Sequence, residues 1–140
     1  MSEPPKLEDF PLRSFDKLRY GDTDRQGHVN NAVFGTFLET GRCDLLEAAF
    51  GPGWREVNSS IVIVRLELDF LAEILWPGRV EIGTAMVHLG NSSLRLAQAL
   101  FQGETLVAKA QSVLVFLGPD KRPARLPDSA RANLEKFRAI

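Results

Sequence analysis

The amino-acid sequence predicts an α+β fold in which one long central helix is wrapped by a curved antiparallel sheet of about five strands. Three observations lead to this prediction. Apolar residues recur with helical spacing between residues 34 and 49, the spacing changes to alternation after about residue 59, and only short turns separate the stretches that follow. Short turns join antiparallel neighbours, because parallel neighbours need a long crossover. A sheet with one apolar face needs a cover, and the long helix is the only large cover that the sequence offers.

The length of 140 residues is typical of one domain. We predict an N-terminal arm over residues 1–12, which is rich in proline, and a single domain over residues 13–140. The single cysteine, Cys43, excludes an intrachain disulfide. A net charge of −1 argues against binding of nucleic acid through bulk positive charge. The start of the chain lacks the pattern of a secretory signal, and no apolar run has the length of a membrane span, so we expect a cytoplasmic protein.

The first strand is predicted near Arg13–Tyr20, and a polar loop over residues 21–31 leads from it into the long helix. Asn30 or Asn31 is a natural N-cap, because an Asn side chain can accept a hydrogen bond from the first turn. The sequence Gly51-Pro52-Gly53 ends the helix. The residues of its apolar stripe are Phe34, Phe37, Leu38, Gly41, Leu45, Ala48 and Ala49.

The alternating pattern begins in Ser59–Leu71 and predicts a strand with two distinct faces. One face holds Val62, Val64, Leu66, Leu68 and Phe70, and the other holds Ile61, Ile63, Arg65, Glu67 and Asp69. The three further strands and the final helix are predicted at Arg79–Leu89, Ser93–Phe101, Leu106–Leu117 and Pro127–Ile140. The free edges of such a sheet favour a homodimer.

The loop over residues 20–31, YGDTDRQGHVNN, followed by a long helix, resembles the signature of the hotdog-fold acyl-CoA thioesterases. The similarity is greatest to the 4-hydroxybenzoyl-CoA thioesterase-like family and covers roughly residues 13–127, including the strand Arg65–Phe70, the turn Pro77-Gly78 and the turn Leu89–Ser93. This resemblance implies a homodimer or homotetramer with active sites at the dimer interface. It also implies hydrolysis of an acyl-CoA to free acid and CoA, with no cofactor besides the CoA of the substrate.

Thioester hydrolysis needs a base or nucleophile and donors that hold the tetrahedral oxyanion. A helix N-terminus offers free N–H groups for an anion. The resemblance places the family's catalytic carboxylate at Asp24, as general base or nucleophile, and an oxyanion-binding backbone N–H near Asn31. His28 either positions water, contacts the thioester or holds the loop together. Asp22 is interpreted as a residue that shapes the turn next to Gly21.

Three further residues are candidates for substrate binding. Gly27 lets the chain bend between Asp24 and the helix. Asn30 either contributes its side chain to the site or only caps the helix. Phe34 belongs to the core, contacts the substrate or does both. No metal site is expected, because one cysteine and two histidines supply few ligands. The CoA phosphates would need a basic residue to bind them, and the sequence does not single one out. The candidates are Arg25, Arg65, Arg95, Lys109 and Arg122.

Two other functions are compatible with the same fold. An acyl-thioester hydratase or dehydratase is disfavoured, because that branch resembles an Asp and a His with four residues between them. Here three residues separate Asp24 from His28, and five separate Asp22 from His28. A non-catalytic module that binds acyl-CoA is the second alternative, and an assay for thiol release distinguishes it from a thioesterase.

Overall fold

The computed structural model describes residues 3–52, 54 and 60–140. Its elements are β1 (Leu12–Lys17), α1 (Asn31–Phe50), β2 (Ser60–Phe70), β3 (Arg79–Leu89), β4 (Ser93–Gln102), β5 (Thr105–Leu117) and α2 (Asp128–Glu135). The strands form one sheet in the order β1-β3-β4-β5-β2, and all neighbours are antiparallel. The predicted arrangement of one long helix and a curved five-stranded sheet is therefore confirmed. Gly53 and Ser59, which figured in the predicted helix end and strand start, lie outside the described residues.

The long helix follows its local signals closely. Asn30 is the N-cap, and its side chain accepts a hydrogen bond from Ala32 N at 3.0 Å. Gly51 ends the helix with a φ of 86°, a conformation that favours glycine. The predicted stripe is buried except for Ala48, which is exposed, and Leu46 is buried although the stripe omitted it. The second helix, α2, packs against α1.

The first strand is shorter than predicted. It ends at Lys17 rather than near Tyr20, and a 3-10 turn follows at Tyr20–Asp22. The turn forms because the Asp22 carboxylate accepts a hydrogen bond from Arg19 N at 2.9 Å, which draws the chain out of the strand direction. This turn begins the loop that leads into α1.

Strand β2 does not follow the single alternation that the sequence predicts. The register with β5 shifts between Ile63 and Arg65, which leaves Val64 as a bulge. A bulge exchanges the two faces, so Ile61 packs on the core before it and Leu68 packs on the core after it. The prediction that Ile61 shares one outward face with Arg65, Glu67 and Asp69 is therefore wrong.

The two chain ends pack against β3. Near the N-terminus, a 3-10 turn forms at Leu7–Asp9, and the ring of Phe10 covers Gly83, where an added Cβ would lie 2.5 Å from the ring. The final helix ends at Glu135 rather than extending to Ile140. The chain after it runs beside β3, where Phe137 O accepts from Met86 N at 2.8 Å.

Candidate active site

The loop between β1 and α1 is a small hairpin that brings Asp24 close to the start of the helix. Asp24 N donates to His28 O at 2.8 Å, and Gly27 N donates to Asp24 O at 3.1 Å. Gly27 has a φ of 85°, so a residue with a side chain would be strained at this bend. The hairpin is therefore defined by its own hydrogen bonds and by one glycine.

The Asp24 carboxylate uses only one of its oxygens to hold this loop. Oδ1 accepts hydrogen bonds from Gln26 N at 2.9 Å and from His28 N at 3.3 Å. Within residues 3–52, 54 and 60–140, Oδ2 has no hydrogen-bond donor. The residue is exposed, so Oδ2 is free to accept a hydrogen bond from water.

The first turn of α1 leaves one N–H group available to an anion. Ala32 N donates to the Asn30 side chain, and Val33 N donates to Asn30 O at 2.9 Å. Asn31 N has no acceptor among the residues that the structure describes. Because the positive end of the helix dipole lies here, this N–H is suited to a developing oxyanion.

Asp22 is buried, with only 3% of its surface exposed. Its two carboxylate oxygens accept hydrogen bonds from the backbone N–H and the guanidinium of Arg19. Burial alone would raise the pKa of Asp22, but the hydrogen bonds and charge of Arg19 outweigh it and lower that pKa below its ordinary value. Asp22 O also accepts from Asn30 N at 2.8 Å, so Asp22 connects the turn to the helix cap.

His28 faces a carboxylate that the sequence analysis did not single out. Its Nε2 lies 3.2 Å from Glu73 Oε2, on the segment between β2 and β3. The two segments are joined by a hydrogen bond from Val29 N to Ile74 O at 2.9 Å. No local pattern marks Glu73, because its relation to His28 exists only in the folded chain.

These groups surround a cavity of about 460 Å³. Five of the six predicted site residues line it: Asp24, His28, Asn30, Asn31 and Phe34. Gly27 shapes the loop but does not line the cavity. The opposite wall comes from the end of β2 and the segment after it, where Phe70 makes an edge contact with Phe34 at a centroid distance of 5.0 Å.

The basic residues considered for CoA phosphates lie outside this cavity. Arg65 and Arg95 line a second cavity of about 260 Å³ between β2, β4 and β5. Arg65 is already paired with Glu67.

Among the described residues, no three His, Cys, Asp or Glu side chains are grouped so that they could hold a metal ion. The helices in the described part of the chain are too short or too polar to cross a bilayer.

The family model described as the thioesterase-like superfamily matches residues 18–134. The chain belongs to the thioesterase-like superfamily. The match includes the loop, the helix and all of the cavity walls described above. The family resemblance of the loop is thus confirmed at the level of the superfamily.

Two solved structures share the fold over nearly the whole chain. A thioesterase from Thermus thermophilus, crystallised with coenzyme A and Zn, is 37% identical with a TM-score of 0.84, over 94% of this chain and 96% of that one. The PA5185 protein from Pseudomonas aeruginosa is 28% identical with a TM-score of 0.88, over 96% of each chain. The hotdog fold that the resemblance implies is therefore present.

A curated plant protein is a more distant thioesterase-like relative. The chloroplastic acyl-acyl carrier protein thioesterase ATL2 from Arabidopsis thaliana is 26% identical over 126 residues, which are 86% of this chain. The aligned region spans 66% of the length of that relative. A second thioesterase from the same plant, ATL3, matches over the same shares of the two chains.

Proposed function

We propose that this chain hydrolyses the thioester of an acyl-CoA to a free acid and CoA. The observation that carries the proposal is one cavity lined by both Asp24, which has a free carboxylate oxygen, and Asn31, which has a free backbone N–H. Thioester hydrolysis requires one group that activates water and another that holds the oxyanion, and this cavity supplies one of each. Family membership supports the same reaction class.

Asp24 Oδ2 is proposed to accept a proton from water as the water oxygen attacks the thioester carbonyl carbon. The carbonyl oxygen becomes an oxyanion, and Asn31 N donates a hydrogen bond to it. When the tetrahedral intermediate collapses, the C–S bond breaks, and the proton that Asp24 accepted passes to the leaving sulfur, which restores the carboxylate. Direct attack by the Asp24 carboxylate through a mixed anhydride is the alternative for the first step.

The walls of the cavity suit an acyl group beside this chemistry. Phe34 is buried and Phe70 is half exposed, so their contact offers an apolar surface next to the helix start. We propose Phe34 and Asn30 as substrate contacts on this ground. Gly27 contributes by shaping the loop rather than by touching the substrate.

Coenzyme A is proposed as the thiol half of the substrate, because the Thermus thermophilus relative was crystallised with it. The plant relatives are named for acyl-acyl carrier protein instead. Both substrates present an acyl thioester to the enzyme. No added cofactor is proposed, since a carboxylate and a helix N-terminus provide the groups that the reaction needs.

The test is a panel of acyl-CoA substrates, with aliphatic and aromatic acyl groups, assayed by detection of the free thiol. A thioesterase releases CoA at a rate proportional to enzyme concentration, and the rate should persist after treatment with EDTA. An acyl-CoA-binding module would bind members of the panel without releasing thiol. A hydratase would change the acyl group and keep the thioester, which mass spectrometry of the products would show.

A further inference from the structure

Glu73 and His28 form a pair inside the candidate active site that the reaction outlined above does not use. Glu73 Oε2 lies 3.2 Å from His28 Nε2, and both residues line the cavity that holds Asp24. The His28 side chain is 31% exposed and the Glu73 side chain 63% exposed. A contact this exposed contributes little to stability even when the histidine is charged, so a structural role alone explains the arrangement poorly.

The backbone on both sides of Glu73 is held in place. On one side, Ala72 N donates to Val107 O at 3.1 Å. On the other side, Ile74 is fully buried and its carbonyl accepts from Val29 N at 2.9 Å. The carboxylate therefore projects toward His28 from a fixed point of the chain.

His28 is connected to Asp24 as well as to Glu73. Its backbone N–H donates to Asp24 Oδ1, and its carbonyl accepts from Asp24 N. These loop hydrogen bonds involve the backbone of His28 and leave its ring free to rotate. The contact with Glu73 restrains that ring.

We infer that Glu73 is a positioning residue that holds the His28 ring in one orientation and one tautomer during thioester hydrolysis. The inference rests on the proposed function. A carboxylate can only accept a hydrogen bond, so His28 Nε2 must carry the proton that points at Glu73. In the neutral ring, Nδ1 is then the unprotonated nitrogen, and it is available to accept a hydrogen bond from water or substrate in the cavity.

The kinetic test compares Glu73→Ala with Glu73→Gln on the best acyl-CoA of the panel. Glu73→Ala removes the acceptor and should lower kcat by about tenfold with little change in KM, which is part of what a positioned acid–base group contributes. Glu73→Gln keeps an acceptor oxygen and should restore most of kcat. Glu104→Ala is the matched control, because Glu104 is an exposed glutamate in the turn between β4 and β5.

A double variant tests whether Glu73 acts through His28. If it does, His28→Ala together with Glu73→Ala should be no slower than His28→Ala alone. Additive losses would overturn the inference, because Glu73 would then act independently. Equal melting temperatures of the variants would show that the losses do not come from unfolding.

The spectroscopic test measures the ring nitrogens of 15N-labelled protein at a pH that keeps the ring neutral. The chain has two histidines, and His88→Gln assigns their signals. Wild type and Glu73→Gln should show His28 protonated at Nε2, and Glu73→Ala should show a mixture of tautomers. An unchanged tautomer or an unchanged kcat in Glu73→Ala would overturn the inference.

Failure of the proposed function can be distinguished from failure of this inference. If the wild type releases no thiol from any substrate, the proposed function fails, and the tautomer measurement still decides whether Glu73 holds the His28 ring.

Discussion

Two aspartates of the loop, separated by one residue, face opposite environments. Asp22 is buried and accepts hydrogen bonds from Arg19, whereas Asp24 is exposed and lines the cavity with Oδ2 free. The difference follows from the 3-10 turn at Tyr20–Asp22, which folds Asp22 back on the chain. At the scale of single residues, one carboxylate holds the loop and the other is available for chemistry.

Asp24→Asn is expected to lower kcat by on the order of 10²-fold or more, the loss typical of a positioned acid–base group. An Asn Oδ1 can still accept the two loop N–H groups, so folding and KM should change little. The measurement is steady-state thiol release together with a melting curve. Asp120→Asn is the control, because Asp120 Oδ1 also accepts an N–H two residues later, at 3.1 Å, outside the cavity. Turnover of Asp24→Asn at the wild-type rate would contradict the assignment.

Asp22→Asn is expected to affect stability rather than chemistry. The NH2 group of the asparagine side chain is a hydrogen-bond donor, and it would face the N–H donors of Arg19 without an acceptor. The free energy of unfolding should therefore fall by about 1–3 kcal/mol at neutral pH, which is the cost of a buried polar group left unsatisfied. The folded-state pKa of Asp22 is lowered, so its stabilising contribution is present above the ordinary pKa of about 3.9 and is lost as the pH falls through the folded value.

Denaturant unfolding of wild type and Asp22→Asn at a series of pH values checks this prediction. The difference between the two proteins should shrink as the pH falls from about 3.9, where the carboxyl of the unfolded chain becomes protonated, through the lower pKa of Asp22 in the folded chain. A difference that grew in acid would contradict the assigned role of Asp22. A large loss of kcat in a folded Asp22→Asn protein would shift the catalytic assignment from Asp24 to Asp22.

At the scale of elements, α1 approaches the sheet closely at Gly41. A Cβ added there would lie 2.6 Å from Thr84 Oγ1 and 2.7 Å from Gln98 Nε2. These two side chains are buried and hydrogen-bonded to each other at 3.0 Å, and Gln98 Nε2 also donates to Leu38 O. A polar cluster this restrained cannot move aside without breaking hydrogen bonds.

Gly41→Ala should therefore destabilise the protein by about 1–3 kcal/mol, the usual cost of overpacking, although alanine favours a helix. Gly35→Ala lies in the same helix and meets no atom within 4 Å, so it should leave stability unchanged or raise it by up to about 1 kcal/mol. Denaturant unfolding of both variants measures the contrast. Equal stability of the two would show that the sheet gives way at Gly41 without cost.

At the scale of the whole molecule, β2 is an edge strand with exposed apolar side chains. In the described part of the chain it pairs with β5 alone. The exposed apolar residues along and just after it are Val62, Ile63, Val64, Leu66, Phe70 and Leu71. A long apolar edge of this kind is normally covered, because unpaired backbone groups and apolar side chains invite association.

We predict that the chain is a homodimer or a larger homo-oligomer in solution. Light scattering coupled to size exclusion should give a mass of at least two chains, and Val64→Lys should shift the mass toward one chain by placing a charge at the edge. Phe70 belongs both to this edge and to the cavity wall, so loss of the dimer should also reduce activity. A wild-type monomer with full activity would contradict the prediction.

The bounds of the long helix were determined by local sequence alone. Asn30 caps it and Gly51 ends it, because an Asn side chain and a positive φ act on the nearest residues of the backbone. The ends of β3, β4 and β5 follow in the same way from short turns between alternating stretches, to within one residue of the predicted bounds. The loop that carries Asp24, His28 and Asn31 was also recognised from sequence, because those residues are close together along the chain.

Only the tertiary structure determined which residues of β2 face the core and which carboxylate meets His28. The bulge at Val64 exchanges the faces of β2, and alternation along one strand carries no information about a shift in register with its partner. Glu73 reaches His28 because the hydrogen bond between Val29 and Ile74 joins two segments that are far apart in the chain. Such contacts depend on how the sheet and the loop meet in space, so no local pattern of residues predicts them.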